Sequence, residues 1–361
     1  MLRRLLLVLV VNALAMTGAV VGAPAALTDP DDDQIALNER VRESLFYIQM
    51  AYTGRVFVPP EQTNDGRPIW SEPTTIYSSC TGFAVDPAGF VATAGHCVDP
   101  DSDEIFARIR ESFVLDAVAH QLLSAENAKN FLATANAEQW QVEGSRRGSL
   151  PDREVLVIQT ESPSRVVDEF VTAQVVDFQR FDDGDNALLK VPASKPLKPL
   201  VIANQAPRPG QSLTSVGFPG SVSRVVDRSR LQQPSFKSGT ASSEQVKPSG
   251  AMSTEINADV SGGMSGGPTI DNDTGEVLGI NSYGIVGESQ AFNFITNAPE
   301  LRSFLVKNGV TLAQSEMPEE PATSESSFPW WFLIGVVVIL GIAVLLVLVI
   351  RRKKLATTRT P

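Results

Sequence analysis

Gly262-Gly263-Met264-Ser265-Gly266-Gly267-Pro268 sets one serine between two pairs of glycines. A serine hydroxyl is a weak nucleophile and needs a neighbouring base to take its proton. A carbonyl under attack also needs backbone N–H donors for its developing oxyanion. Glycines around Ser265 permit the sharp turn that aims the amides of Gly263 and Ser265 at one point. The stretch therefore asks for a histidine and a carboxylate elsewhere in the chain.

Both are found in short, patterned segments. Thr93-Ala94-Gly95-His96-Cys97 carries one of only two histidines. Asp185-Asn186-Ala187-Leu188-Leu189-Lys190 carries a carboxylate ahead of an apolar strand, which selects Asp185 over its neighbours Asp182 and Asp183. Gly263-Met264-Ser265-Gly266-Gly267 on its own also fits the G-x-S-x-G elbow, whose fold orders its triad Ser, Asp, His. No histidine follows His120, so that order fails. The order here is His96, Asp185, Ser265.

Taken together, Thr93–Cys97, Asp185–Lys190 and Gly263–Pro268 resemble the trypsin-like (chymotrypsin-fold) serine proteases. The flanks Gly82-Phe83-Ala84-Val85 and Leu278-Gly279-Ile280-Asn281 look most like the bacterial HtrA-type branch. The resemblance covers roughly residues 45–310. It implies a mainly β double barrel with the site in the cleft between barrels. It implies His96 as general base, Asp185 as the orienting acid and Ser265 as nucleophile, with Gly263 and Ser265 forming the oxyanion hole. Ser282, Tyr283 and Gly284 match the substrate-binding strand, with the Ser282 hydroxyl supporting Asp185. Asp259 stands six residues before Ser265, the offset at which trypsin holds the carboxylate of its specificity pocket. A loop-capping role is the other reading of Asp259. The family's bridge beside the histidine loop implies a Cys80–Cys97 disulfide, worth about 3 kcal/mol for a loop of this length; two free thiols are the alternative.

The departures from the family are as specific. Met264 stands where digestive enzymes carry the aspartate that a freed N-terminus locks, so no zymogen-type release is expected. HtrA proteins carry PDZ domains after the protease, and none is expected here. The 89 residues from His96 to Asp185 are more than the family usually has. Phe106, Ile109, Phe113, Ala117 and His120 recur there at helical spacing, so one or two helices are expected as an insertion over about 102–150. His120 is read as a helix-packing residue on that stripe.

The 361 residues bear a net charge of −11. An acidic chain is a poor partner for nucleic acid, whose phosphates call for Lys and Arg. Two cysteines exclude a four-thiolate zinc site, and neither metal nor organic cofactor is implied. Short strands with Gly and Pro punctuation are expected over Leu45–Ile48, Arg55–Val58, a hairpin at residues 81–93, Val155–Gln159, Val171–Phe178, Asn186–Val191, Ser212–Gly217, Gly239–Ser243, Val277–Tyr283 and Ala291–Thr296. Residues 141–151 read as a loop, Asn272-Asp273-Thr274 as a turn before Gly275, and Glu300–Asn308 as a closing helix.

Both ends are net basic around an acidic body. Residues 1–26 open with Arg3 and Arg4, continue apolar and finish in small residues, the pattern of a signal peptide. Trp330–Ile350 is an uncharged apolar run that would span about 31 Å as a helix. Tryptophans edge it on one side and Arg351-Arg352-Lys353-Lys354 on the other, the stop-transfer arrangement. The expected organisation is a signal peptide (1–26), an N-terminal segment (27–44), a trypsin-like protease domain (45–310), a stalk (311–328), a transmembrane helix (329–350) and a cytoplasmic basic tail (351–361). The expected function is a single-pass, membrane-anchored extracytoplasmic serine endopeptidase acting on protein or peptide substrates. The alternative is a latent or inactive pseudoprotease that binds or senses a partner.

Overall fold

From Phe46 to Val58 every second residue is buried, all of them apolar or glycine. Met50 and Tyr52 carry the alternation through the middle, so the two strands expected at 45–48 and 55–58 are the ends of one. The computed structural model describes residues 30–227, 230–285, 287, 292–314 and 339–351.

Helix α1 (Pro30–Ser44) leads into β1 (Leu45–Val58). There follow β2 (Ile69–Trp70), β3 (Thr74–Asp86), β4 (Phe90–Thr93) and the single turn α2 (Gly95–Val98). Helices α3 (Asp103–Ala119) and α4 (Ala125–Ala137) come next, then β5 (Val142–Glu143), β6 (Asp152–Gln159), β7 (Val171–Thr172), β8 (Gln174–Phe178) and β9 (Ala187–Lys190). The antiparallel sheet runs β7-β6-β1-β3-β4-β9-β8, with β2 and β5 added to β1. Only Ala173 separates β7 from β8, although they lie at opposite ends of that order. The sheet must therefore roll up until its edges meet. The Ala173 N–H donates to Val155 on β6 at 2.9 Å, while Gln174 pairs with Lys190 on β9. The single strand expected over 171–178 is thus two strands on opposite edges.

A second barrel closes completely from β10 (Ser212–Gly217), β11 (Ser235–Val246), β12 (Met252–Ile256), β13 (Pro268–Asp271), β14 (Val277–Ile285) and β15 (Phe292–Thr296), in the order β10-β11-β12-β15-β14-β13. Sequence reading misses β12 and β13. Pro268 opens β13, a position where proline costs a strand no ladder bond. Helix α5 (Ala298–Lys307) lays Leu301, Phe304 and Leu305 into the core.

The insertion is helical, as expected. Ser102 caps α3 by accepting from the Ile105 N–H at 3.3 Å. Ile105, Ile109 and Val114 are the buried stripe of α3. His120 is not part of it: the helix ends there, the ring is exposed, and its Nδ1 lies 2.8 Å from the Asp116 carbonyl. Residues 141–151 are not wholly loop, since Val142 and Glu143 pair with Val56 and Arg55.

Up to Ala313 the described residues form one unit; a second begins at Gln314. In it, residues 339–351 form helix α6, with Ile339, Leu340, Leu345, Leu346 and Val349 all exposed. No helix among the described residues is long and apolar enough to cross a membrane. The expected signal peptide, most of the stalk, the first part of the membrane run and the tail from 352 lie outside the described residues.

Candidate active site

Asp185 is fully buried with φ of +55°, a left-handed conformation that aspartate tolerates better than most residues. The turn Phe181–Asp183 and Gly184, at φ +129°, deliver it there. Its Oδ1 accepts the backbone N–H of His96 at 2.8 Å, and its Oδ2 lies 2.9 Å from His96 Nδ1. The Ser282 hydroxyl donates to the same Oδ2. With Nδ1 tied to a carboxylate, the imidazole directs Nε2 outward.

The histidine turn is held from behind. The Tyr52 hydroxyl donates to the Cys97 carbonyl at 2.7 Å, and Cys97 is bridged to Cys80 across a Cα separation of 6.3 Å. Burial is the largest influence on His96 and pulls its pKa down. The charge and hydrogen bond of Asp185 outweigh it, Glu104 adds to them, and the pKa is raised above 6.5.

Ser265 comes to the same place from the second barrel. Cys97 Sγ stands 3.9 Å from both His96 Nε2 and the Ser265 carbonyl. The Ser265 hydroxyl donates to the Ser282 carbonyl at 3.4 Å. No hydrogen bond joins Ser265 to His96 among the described residues. Both line a cleft of about 600 Å³ with Gly262 and Gly263.

The peptide planes of the serine loop are set from outside the cleft. Gly262 O accepts from the Gly220 N–H at 2.7 Å, so the Gly263 N–H points the opposite way. Met264 O accepts from the Gly267 N–H at 3.0 Å and from Asn281 Nδ2 at 3.3 Å, which fixes the Ser265 N–H in the same manner. Among the described residues, neither the Gly263 nor the Ser265 N–H has an acceptor.

One residue of the first barrel clamps this loop. Thr81 is fully buried on β3. Its hydroxyl donates to the Gly263 carbonyl at 2.8 Å and accepts from the Phe218 N–H at 3.0 Å, and its N–H donates to Ser265 O at 2.8 Å. Thr81→Val keeps the shape but orphans a buried carbonyl and a buried N–H. The expected loss is roughly 2–4 kcal/mol, read by urea denaturation, with Thr81→Ser restoring most of it.

The expected substrate strand is distinct in its parts. The β14–β15 ladder slips between Asn281 and Tyr283. That bulge lets consecutive Asn281 and Ser282 both face inward. The Tyr283 ring stacks on Phe294 at 4.5 Å and meets Phe181 edge-on at 5.1 Å, while Gly284 is exposed. Asp259 is not brought to the cleft. It is exposed while its neighbour Ala258 is buried, so the extended chain turns the carboxylate outward. Sequence reasoning gave no role to Thr81, Gly220, Phe181 or Glu104, which no local pattern marks, nor to Asn281, although it closes the flank Leu278–Asn281.

Two barrels with a buried aspartate, a histidine and a glycine-flanked serine between them define a peptidase architecture. Residues 80–280 match the trypsin-like peptidase domain, and the chain belongs to that family. Serine protease MT3772 and Serine protease Rv3671c, from two strains of Mycobacterium tuberculosis (CDC 1551 / Oshkosh and ATCC 25618 / H37Rv), are each 32% identical over 127 residues, covering 35% of this chain and 31% of theirs. The chain thus spans about a third of the length of the curated relatives it matches. The crystal structure of the M. tuberculosis Rv3671c protease in its active form aligns with a TM-score of 0.43 and 19% identity, over 79% of this chain and 89% of that one. The inactive form gives 0.43 and 18%, over 78% and 97%.

Proposed function

We propose that the chain is a serine endopeptidase working through Ser265, His96 and Asp185. The observation that carries the reading is the convergence on one cleft of the Asp185-bound histidine, the serine and two amides without acceptors. Ser265 Oγ loses its proton to His96 Nε2 and bonds to the scissile carbonyl carbon. The oxyanion rests on the Gly263 and Ser265 amides. The C–N bond then breaks as the amine takes the proton from His96, leaving an ester on Ser265. Water, deprotonated by His96, hydrolyses that ester.

A second reading has one observation in its favour. The Ser265 hydroxyl is turned to the Ser282 carbonyl rather than to His96, as in a latent enzyme or a pseudoprotease. Fluorophosphonate treatment of the full chain in detergent separates the two. The protease reading expects labelling that disappears in Ser265→Ala. A folded chain that stays unlabelled overturns it in favour of the latent form.

The protease is further read as anchored by one helix near its C-terminus, with its barrels outside the cytoplasm. Helix α6 supports this: its apolar side chains are exposed all round, which suits a lipid environment better than water. The charged run Arg351-Arg352-Lys353-Lys354 supports the orientation. Protease protection of an epitope placed after residue 354 in sealed membranes tests it, and a digested epitope overturns it.

A further inference from the structure

We infer that the inserted helix α3 builds the leaving-group wall of the cleft, and that Glu104 selects substrates with lysine or arginine among the first two residues after the scissile bond. The inference rests on the protease reading above. The departing amine collects its proton from His96 Nε2, so the leaving segment lies on that side of the imidazole. Nε2 is 3.9 Å from Cys97 Sγ, which places the Cys80–Cys97 bridge beneath that segment. Past the bridge the cleft is walled by Ser78 and Ser79 of β3 and by Glu104, Ile105 and Arg108 of α3.

That wall is fixed. Ile105 is buried in the core, Arg108 Nη2 donates to the Tyr77 carbonyl at 2.6 Å, and Thr74 on β3 bonds Ser112 and Asp116 at 2.9 Å each. A helix packed through Ile105 and tied to the strand beneath it at Arg108, Ser112 and Asp116 is a binding surface rather than a loose cover.

The more exposed of the wall's two charged groups is the Glu104 carboxylate; Arg108 keeps its positive charge but is held back against β3. Arg108 spends its guanidinium on Tyr77 and stands 4.0 Å from Glu104. The Glu104 side chain is 77% exposed, and that distant pair is its only ionic contact among the described residues. Its charge reaches His96, where it favours the protonated ring. A cation on the leaving segment would meet this carboxylate, and an anion would be repelled by it.

The test uses the full chain in detergent and peptide libraries randomised on the acyl side, with Lys, Ala or Glu at the first two leaving positions. The readout is the Lys-to-Glu ratio of cleavage rates within each variant, so differences in overall competence cancel. Attraction of one charge and repulsion of the other at an exposed site give an expected ratio of about ten for the unaltered chain, shrinking in high salt. Glu104→Gln brings the ratio near one, and Glu104→Lys inverts it. A ratio near one in the unaltered chain, or one that survives Glu104→Gln, overturns the inference while fluorophosphonate labelling of Ser265 keeps the protease reading. Absence of that labelling overturns both.

Discussion

Replacing Asp185 with asparagine lowers kcat/KM about 10⁴-fold on any peptide the chain cleaves, the scale expected when the carboxylate that fixes the histidine tautomer is lost. The cause is visible in a second measurement. In the unaltered chain the raised His96 pKa requires activity to climb with pH through a value above 6.5, because only the neutral ring accepts the serine proton. In Asp185→Asn the two largest upward influences vanish while burial remains and Glu104 opposes it only weakly, so the imidazole pKa falls. Its ring resonance followed against pH reports the move directly, with His120 as the only other histidine signal. A His96 midpoint unchanged by the substitution would refute this account. Folding stability runs the opposite way to activity. A folded pKa above the unfolded one contributes stability that is fully present below pH 6.5 and is lost as pH rises through the folded value.

Gly266→Ala is the substitution expected to damage the fold most. Gly266 has φ of +85°, and an added Cβ would stand 2.1 Å from Thr93 Oγ1 and 2.2 Å from the Thr81 carbonyl. Neither neighbour can yield, since the Thr93 hydroxyl itself donates to Thr81 O at 2.8 Å between two paired strands. The strain and the displaced strands together put the loss above about 4 kcal/mol. Thermal unfolding should therefore fall steeply, with loss of Ser265 labelling well below the temperature at which the unaltered chain melts. Gly262→Ala is the contrast: open space surrounds that Cβ, and its melting should stay close to that of the unaltered chain.

The site was legible where local chemistry marks it. A serine among glycines, a histidine at a tight turn and an aspartate before an apolar strand are short-range patterns, and the structure sets the serine and histidine on one cleft with the aspartate buried behind the histidine. The strand Ser212–Gly217 was readable because Gly210 and Pro219 punctuate it on either side. Asp259 is exposed because sequence offset does not set side-chain direction. His120 was misread because helical periodicity does not reveal where the helix stops. The missed Thr81 illustrates the general limit. Its hydroxyl meets a carbonyl 182 residues away, and nothing in a window around Thr81 reports a partner at that range.

The Thr81 contact also makes the reactive centre a gauge of alignment. The hydroxyl that orients the serine loop belongs to one barrel and the loop to the other, so a slippage of one barrel against its neighbour is transmitted straight to the amides facing the cleft. Chemistry should then fail before either barrel loses its ladder of strands. On warming, turnover would cease in molecules whose circular dichroism is still that of the intact protein, and anything that presses the barrels together would act as an activator without touching a reacting atom.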